Sequence, residues 1–567
     1  MDLRAPALLV LCAAACVPDG ESRFERNIPG QVPGDGGGED AAPRDGGPNA
    51  VRDGGPNAVR DAGPAGGVDA GFRDAGRRPP RDGGPRPDLG PADPGPFGLI
   101  REDPGIPGMY LGGIGVEDFD EDGDNDVVMF GFWDAGHSDG INCSGSMEGR
   151  YYENVSTMGG PTSFVLAQTW PNQGVCEASV VTGDVNGDGH RDFVVQISVE
   201  RDTLAYFGDG NGNFTTAALE PGFGVHSNSI GMAIADIDQD GTDDIVFNAD
   251  GYADSFGGAG SGLWYRWNGA GFAKMQTGFP HQIVYGGTIA AGDLDGDGYP
   301  EIAIGGNAAV PFGDYFCGNE LYGQIHKNNG GTFGRDYWTV IPNYSLRNYG
   351  RDDINTAPNP NRTGNFCNGG DNLQYWIGDL DNDGFNDIVS AGSGGFSGRV
   401  GPQYPGSTHY SVAILRNVTG TGLDYVTWEN VHIGAGGLPG NLGGDFTNSG
   451  VGNVDLPSIA VGDLNGDGWP EVVVQGHRRW LEDRFAEYIF QNFLFRNLGN
   501  GDFEWVTDAI PMPNPIAECG NVIADLNRDG KDDLIICGAE RPWHSNGANP
   551  GDFNDASSIK TYVFRQP

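Results

Sequence analysis

Seven times along this 567-residue chain the pattern D-x-[DN]-x-D-G-x-x-[DE] recurs. The copies begin at Asp118, Asp184, Asp236, Asp293, Asp379, Asp463 and Asp525, at intervals of 66, 52, 57, 86, 84 and 62 residues. Glycine holds the sixth position of every copy. Six copies follow a small residue (Gly183, Ala235, Gly292, Gly378, Gly462, Ala524), whereas the first follows Glu117. Behind each copy comes a run suited to a buried strand, such as Val127-Val128-Met129-Phe130 or Val472-Val473-Val474. Between copies, short β-branched and aromatic runs alternate with Gly, Asn and Asp turns, and no helical period is visible. Self-similarity at such periods marks a repeat array in which each unit covers its neighbour's apolar face. The expectation is an all-β fold of seven repeated units.

The residue types inside the pattern point to a metal. Oxygens at positions 1, 3 and 5 of a tight loop converge on one hard cation, and an acid at position 9 closes the site from the incoming strand. Those positions are Asp118, Asp120, Asp122 and Asp126 in the first loop, and Asp184, Asn186, Asp188 and Asp192 in the second. They are Asp236, Asp238, Asp240 and Asp244 in the third, and Asp293, Asp295, Asp297 and Glu301 in the fourth. The fifth has Asp379, Asp381, Asp383 and Asp387, the sixth Asp463, Asn465, Asp467 and Glu471, the seventh Asp525, Asn527, Asp529 and Asp533. Position 7 would lend only its carbonyl, so its side chain is expected to vary freely, as Asp124, His190, Thr242, Tyr299, Phe385, Trp469 and Lys531 do. A lysine side chain could not face the ion.

The 25 carboxylates of these sites would repel one another without a cation, and they account for much of a net charge of −45. That charge disfavours nucleic acid and anionic membranes as partners. Plain Asx-turns in acidic hairpins are the competing reading, and a glycine in all seven copies speaks against it. EF-hand and dockerin loops share the opening but run into helices with a ligand at position 12. Here position 12 is apolar (Met129, Val195, Val474) and strands follow.

On these residues the repeats resemble the FG-GAP and VCBS repeats of integrin α-subunit propellers and bacterial surface proteins. The resemblance covers roughly 97–567, with long insertions in the fourth and fifth repeats. It implies a seven-bladed β-propeller, one four-stranded blade per repeat. It also implies about seven structural Ca2+ ions, each in the loop joining the two innermost strands, A and B. A phenylalanine should open the outer D strand of four blades: Phe164, Phe214, Phe272 and Phe503 lie 20, 22, 21 and 22 residues before the next loop. Phe97 lies 21 residues before Asp118 with no blade ahead of it, while strands B (533–537) and C (559–565) of the last blade lack a D strand. Residues 97–102 are therefore expected to supply it, a clasp that closes the ring and leaves no open edge.

Residues 1–15 read as a signal peptide too short to span a bilayer. Ala13-Ala14-Ala15 before Cys16 resembles a lipobox, which implies lipidation at Cys16; Val17 then favours the outer membrane or cell surface, with plain secretion as the alternative. Residues 16–95, Gly/Pro-rich with tandem RDGGPNAV octets, cannot offset chain entropy by burial and read as a disordered tether before the propeller at 96–567. Export permits disulfides. Neighbour pairing gives Cys143/Cys176, Cys317/Cys367 and Cys519/Cys537, one of fifteen connectivities, with free thiols as the alternative.

In antiparallel blades the A–B and C–D turns share one face and the B–C and D–A connections the other. The insertions 307–320, 343–370, 393–409 and 434–456 thus project opposite the calcium loops. Their aromatics (Tyr315, Phe316, Tyr344, Tyr349, Phe366, Phe396, Tyr404, with Tyr410 just beyond) suit stacking on a sugar or packing within the insertions. The expected function is a non-catalytic, surface-tethered binding or adhesion module for a glycan or protein, monomeric and joined to the membrane only by its lipid. The alternatives are a calcium-dependent polysaccharide lyase or other extracellular carbohydrate-active enzyme, and a structural envelope lipoprotein. No catalytic motif supports an enzyme, and the loop histidines His409 and His544 stand alone.

Overall fold

A computed structural model describes residues 97–133, 147–171, 178–197, 203–219, 231–248, 262–275, 284–308, 324–333, 339–340, 369–395, 412–417, 428–430, 454–482, 485–499, 501–506, 509–512, 516–540 and 559–566. Among them are 28 strands and no helix. β1 is Ile100–Glu102, and a first sheet follows from β2 (Tyr110–Glu117), β3 (Asp126–Phe132), β4 (Glu148–Asn154) and β5 (Phe164–Trp170). The second contains β6 (Ala178–Gly183), β7 (Asp192–Ile197), β8 (Leu204–Gly208) and β9 (Phe214–Ala218). The third contains β10 (Gly231–Ala235), β11 (Asp244–Asn248), β12 (Gly262–Trp267) and β13 (Phe272–Met275). The fourth contains β14 (Val284–Gly292), β15 (Glu301–Ala308), β16 (Gln324–His326) and β17 (Thr339–Val340). The fifth contains β18 (Gly369–Gly378), β19 (Asp387–Gly395), β20 (Val412–Asn417) and β21 (Trp428–Asn430). The sixth contains β22 (Val454–Gly462), β23 (Glu471–Glu482), β24 (Phe485–Asn497) and β25 (Phe503–Trp505). The last contains β26 (Ile516–Ala524), β27 (Asp533–Glu540) and β28 (Ile559–Arg565), with β1 beside β28.

Each sheet is an antiparallel blade in A-B-C-D order. The A strands touch in one closed cycle (β2, β6, β10, β14, β18, β22, β26 and back to β2), so seven blades complete a ring. The clasp pairs Ile100 with Arg565, Arg101 with Phe564 and Glu102 with Val563. Glu102 fixes it sideways: its carboxylate accepts from Arg565 Nε, from Thr162 N at 2.8 Å and from Thr162 Oγ1 at 3.0 Å, which joins the last blade to the first. The four phenylalanines expected to open D strands are the first residues of β5, β9, β13 and β25. Phe97 lies three residues ahead of β1 and packs half-buried into the core between blades six and seven.

The core lies in layers between blades, because each B strand is flanked on both faces; all of β3 is buried. Ile114, Val127, Met129, Val522, Ile535 and Val563 fill the seam between the last blade and the first. Five inner strands carry a bulge at one register, ending at Gly113, Thr288, Gln374, Ser458 and Gly520, each five residues before its loop. Cys519 and Cys537 form the expected disulfide, which ties β26 to β27. Cys143, Cys176, Cys317 and Cys367 lie outside the described residues, as do the insertion aromatics, Cys16 and the tether. The ends of β15, β19, β18 and β22 reach two or three residues into the spans expected to be insertions.

Candidate metal centres at the seven loops

Every copy of the motif joins an A strand to its B strand, and one hydrogen-bond scheme recurs in all seven. The position-1 carboxylate accepts from the glycine N–H at position 6, as between Asp118 and Gly123 (3.1 Å) or Asp463 and Gly468 (2.7 Å). The position-5 carboxylate accepts from the N–H of position 7, as between Asp383 and Phe385 (2.8 Å). The position-9 acid reaches back to the N–H of position 2, as between Asp387 and Leu380 (2.8 Å). Position 3 accepts from position 5 in six loops. In the third loop Asp240 N turns to Asp236 Oδ1 instead (3.0 Å). Short-range amides thus aim the side chains of each loop at a common centre.

Four sets of carboxylate oxygens lie within 4.8 Å of one another: Asp118, Asp120 and Asp122; Asp236, Asp238 and Asp244; Asp293, Asp295 and Asp297; Asp379, Asp381 and Asp387. Buried oxygens Asp118 Oδ1 and Asp238 Oδ1 accept no hydrogen bond. Burial, reinforced by neighbouring acids, pushes the position-9 groups far up: Asp126 to about 7, Asp192, Asp244, Asp387 and Asp533 to about 8, Glu471 to about 9, and Glu301 well above its ordinary value. Hard oxygen donors, orphaned lone pairs and a charge penalty fit a divalent cation such as calcium.

The glycine at position 6 has φ between +82° and +94° in every loop, where a Cβ is strained. The sequence reading missed a second left-handed residue at position 4: Glu121, Gly187, Gln239, Gly296, Asn382, Gly466 and Arg528. It also took position 7 as free to vary, whereas in five loops that side chain lies against position 4 of the preceding loop. His190 Nδ1 meets Glu121 at 2.6 Å, Arg528 pairs with buried Asp124 at 3.3 Å, and Thr242, Phe385 and Lys531 cover Gly187, Gly296 and Gly466. Position 7 thus varies with its partner. Loop links to loop around the ring.

Two further links were missed. An asparagine ends strand C in three blades and lies two residues past it in the fourth. Its side-chain amide donates to the position-2 carbonyl of the preceding loop: Asn154 to Leu526 (2.8 Å), Asn328 to Ile237 (2.8 Å), Asn417 to Leu294 (2.7 Å) and Asn497 to Leu380 (2.8 Å). Position 8 also reaches backward, through Asn125 to Asp525 O, Asn386 to Asp293 O, and Asp243 and Asp532 to the amides of Asp184 and Asp463. The residue before each loop must suit that partner. A Cβ on Gly183 would lie 2.8 Å from Asp243 Oδ2, while Glu117 meets Arg191 (3.6 Å) and Thr182 (3.0 Å), which explains the first loop's departure. The C–D turns lie on this face too: Gly159 N donates to Asn527 O (2.7 Å) and Gly212 N to Phe119 O (3.3 Å).

The FG-GAP-like repeat family matches this chain over residues 184–247, 247–304 and 463–536. Among solved structures, a sucrose-bound variant of a GH32 beta-fructofuranosidase from Bombyx mori is similar at 13% identity and a TM-score of 0.28, over 72% of this chain and 88% of its own. The hemagglutinin-neuraminidase ectodomain of parainfluenza virus 5 is similar at 10% identity and a TM-score of 0.27, over 75% of this chain and 84% of its own. Likenesses of that order say nothing of activity. Motif, matched spans and closed ring agree: the chain is a seven-bladed β-propeller carrying FG-GAP-like repeats.

Proposed function

We propose that this protein is a calcium-stabilised, surface-tethered propeller that serves as a non-catalytic binding or adhesion module for a glycan or a protein. A propeller with FG-GAP-like repeats suggests a binding or adhesion module. The observation that carries the reading is the sevenfold repetition of one loop in one geometry, built at the base of every blade, where it organises the scaffold. A catalytic centre needs one differentiated site; seven equivalent loops serve the ring. The ions hold strands A and B of each blade together, and the long insertions 307–320, 343–370, 393–409 and 434–456 carry recognition, since loops on a rigid frame are where binding concentrates. Cys16 tethers the module at the cell surface through its lipid, and the acidic field turns away nucleic acid.

The test is a screen of glycans and surface proteins against the full chain, with and without calcium. Specific binding that is retained in calcium and lost on shortening 307–320 and 393–409 is the expected result. Failure of the folded, calcium-loaded chain to bind any ligand, or release of ultraviolet-absorbing unsaturated product from uronate polysaccharides, would overturn it.

A further inference from the structure

One register of strand C, the residue after the partner of the first apolar B-strand position, holds a cation in five blades. Tyr265, His326, Leu415, Phe495 and Phe564 pair with Ile245, Ile302, Ile388, Val472 and Leu534, and the next residues are Arg266, Lys327, Arg416, Arg496 and Arg565. In the first two blades Glu153 and Phe207 stand there. The five cations go to different places. Arg266 bonds to both Asp238 and Asp240, positions 3 and 5 of its own loop. Lys327 does the same with Asp295 and Asp297, the latter at 3.2 Å. Arg416 comes within 3.7 Å of Asp381. Arg496 pairs with Glu504 at 2.5 Å, and Arg565 with Glu102 of the clasp.

We infer that Arg266 and Lys327 are resident counter-ions of the third and fourth loops, so the ring fills with calcium unequally. The inference rests on the calcium reading of the loops. A cation entering the third or fourth loop must break two ion pairs and displace a like charge, while strand C offers Glu153 and Phe207 to the first two loops and commits Arg565 of the last blade to the clasp. The third and fourth loops therefore stay assembled without metal and bind it more weakly. The first, second and seventh loops depend on the ion and take it first.

The experiment is calorimetric calcium titration of the full chain after chelator stripping. The native chain should show a tight class of sites and a weaker class that includes the third and fourth loops. Joint Arg266→Met and Lys327→Met substitution should tighten those two sites about tenfold or more, as expected for removing a unit charge about 4 Å from the site, whereas Arg150→Met, which removes a cation paired with Glu148 instead of a loop acid, should leave the isotherm as it was. The double variant should also melt lower than native in chelator and level with it in saturating calcium. If the stripped variant does not fold, chelator back-titration of the calcium-folded protein reads the same affinities. An unchanged isotherm in the double variant overturns the inference and leaves the calcium reading standing; a native chain that takes up no calcium overturns both.

Discussion

Each loop passes through the left-handed region twice, at its fourth residue and at its glycine, and the two bends let successive oxygens turn inward. Gly530 tests the second bend in isolation, because a Cβ there would meet nothing within 4 Å while φ is +84°. Gly530→Ala should cost about 1–2 kcal/mol from the backbone alone. Gly271 has equal room and no left-handed φ, so Gly271→Ala should be neutral or stabilise by about 0.5 kcal/mol through the unfolded chain. Equal urea midpoints for the two variants would refute the backbone account. A different strain sits at His326, which is buried with neither ring nitrogen hydrogen-bonded; burial pushes its pKa from 6.5 down to about 4. The folded state then binds fewer protons than the unfolded state between those values, so this residue's contribution is intact above pH 6.5 and is lost as pH falls toward 4. The loss approaches about 3 kcal/mol. Phe495 and Phe564 occupy the same register in later blades, so His326→Phe should abolish that component. The check is the native-minus-variant stability difference at pH 7 and pH 4.5, which should grow in the variant's favour on acidification.

Strands here were legible because their boundaries are written in residue types. The acid at position 9 is the first residue of every B strand, and a phenylalanine opens four of the D strands. Even the clasp could be read, since a D-strand signal stood at one end of the repeat array and a missing strand at the other. Deleting 97–108 should therefore lower the melting temperature far more than deleting 17–90, because only the former removes the strand beside β28 and the Glu102 bonds to Thr162 and Arg565. Equal melts would count against the clasp. What the sequence hid is the joinery between blades. Asn417 looks like any turn asparagine, and its partner Leu294 O is 123 residues away; no local pattern predicts that pairing. Position 0 and position 8 are matched only across a seam, Gly183 to Asp243 or Glu117 to Arg191, so each residue alone carries half a signal. The latch has a measurable cost. Asn417→Ala leaves the buried Leu294 carbonyl and the half-buried Asn386 carbonyl without their amide donor, which should cost about 3 kcal/mol. Denaturant titration reads it directly; a change below 1 kcal/mol would demote the latch to a bystander.

At the scale of the ring, the seams and the loops are one system. The asparagine latches end on loop carbonyls, position 8 ends on the preceding loop's first residue, and position 7 packs on its fourth. Any change that deforms one loop is thus felt at the seam behind it. In a chain of net charge −45, carboxylates gathered at every seam push outward unless a cation holds them. Ions that bind only the folded ring stabilise it by mass action, about 2.7 kcal/mol per site at a free concentration one hundred times Kd. Several such sites exceed the entire margin by which a domain is ordinarily stable. Excess EDTA at pH 7.5, with metal removal confirmed by elemental analysis, should therefore lower the melting temperature steeply. Calcium should restore it better than magnesium, whose small octahedral shell suits a multidentate carboxylate loop poorly. Because the loops bear on successive seams around the ring, the loss should come as a concerted weakening rather than the peeling of one blade. The third and fourth blades, with Arg266 and Lys327 bound to their acids, should keep the slowest-exchanging amides in the stripped protein. A melt that stays in place once the ions are gone would mean that hydrogen bonds alone hold these loops together.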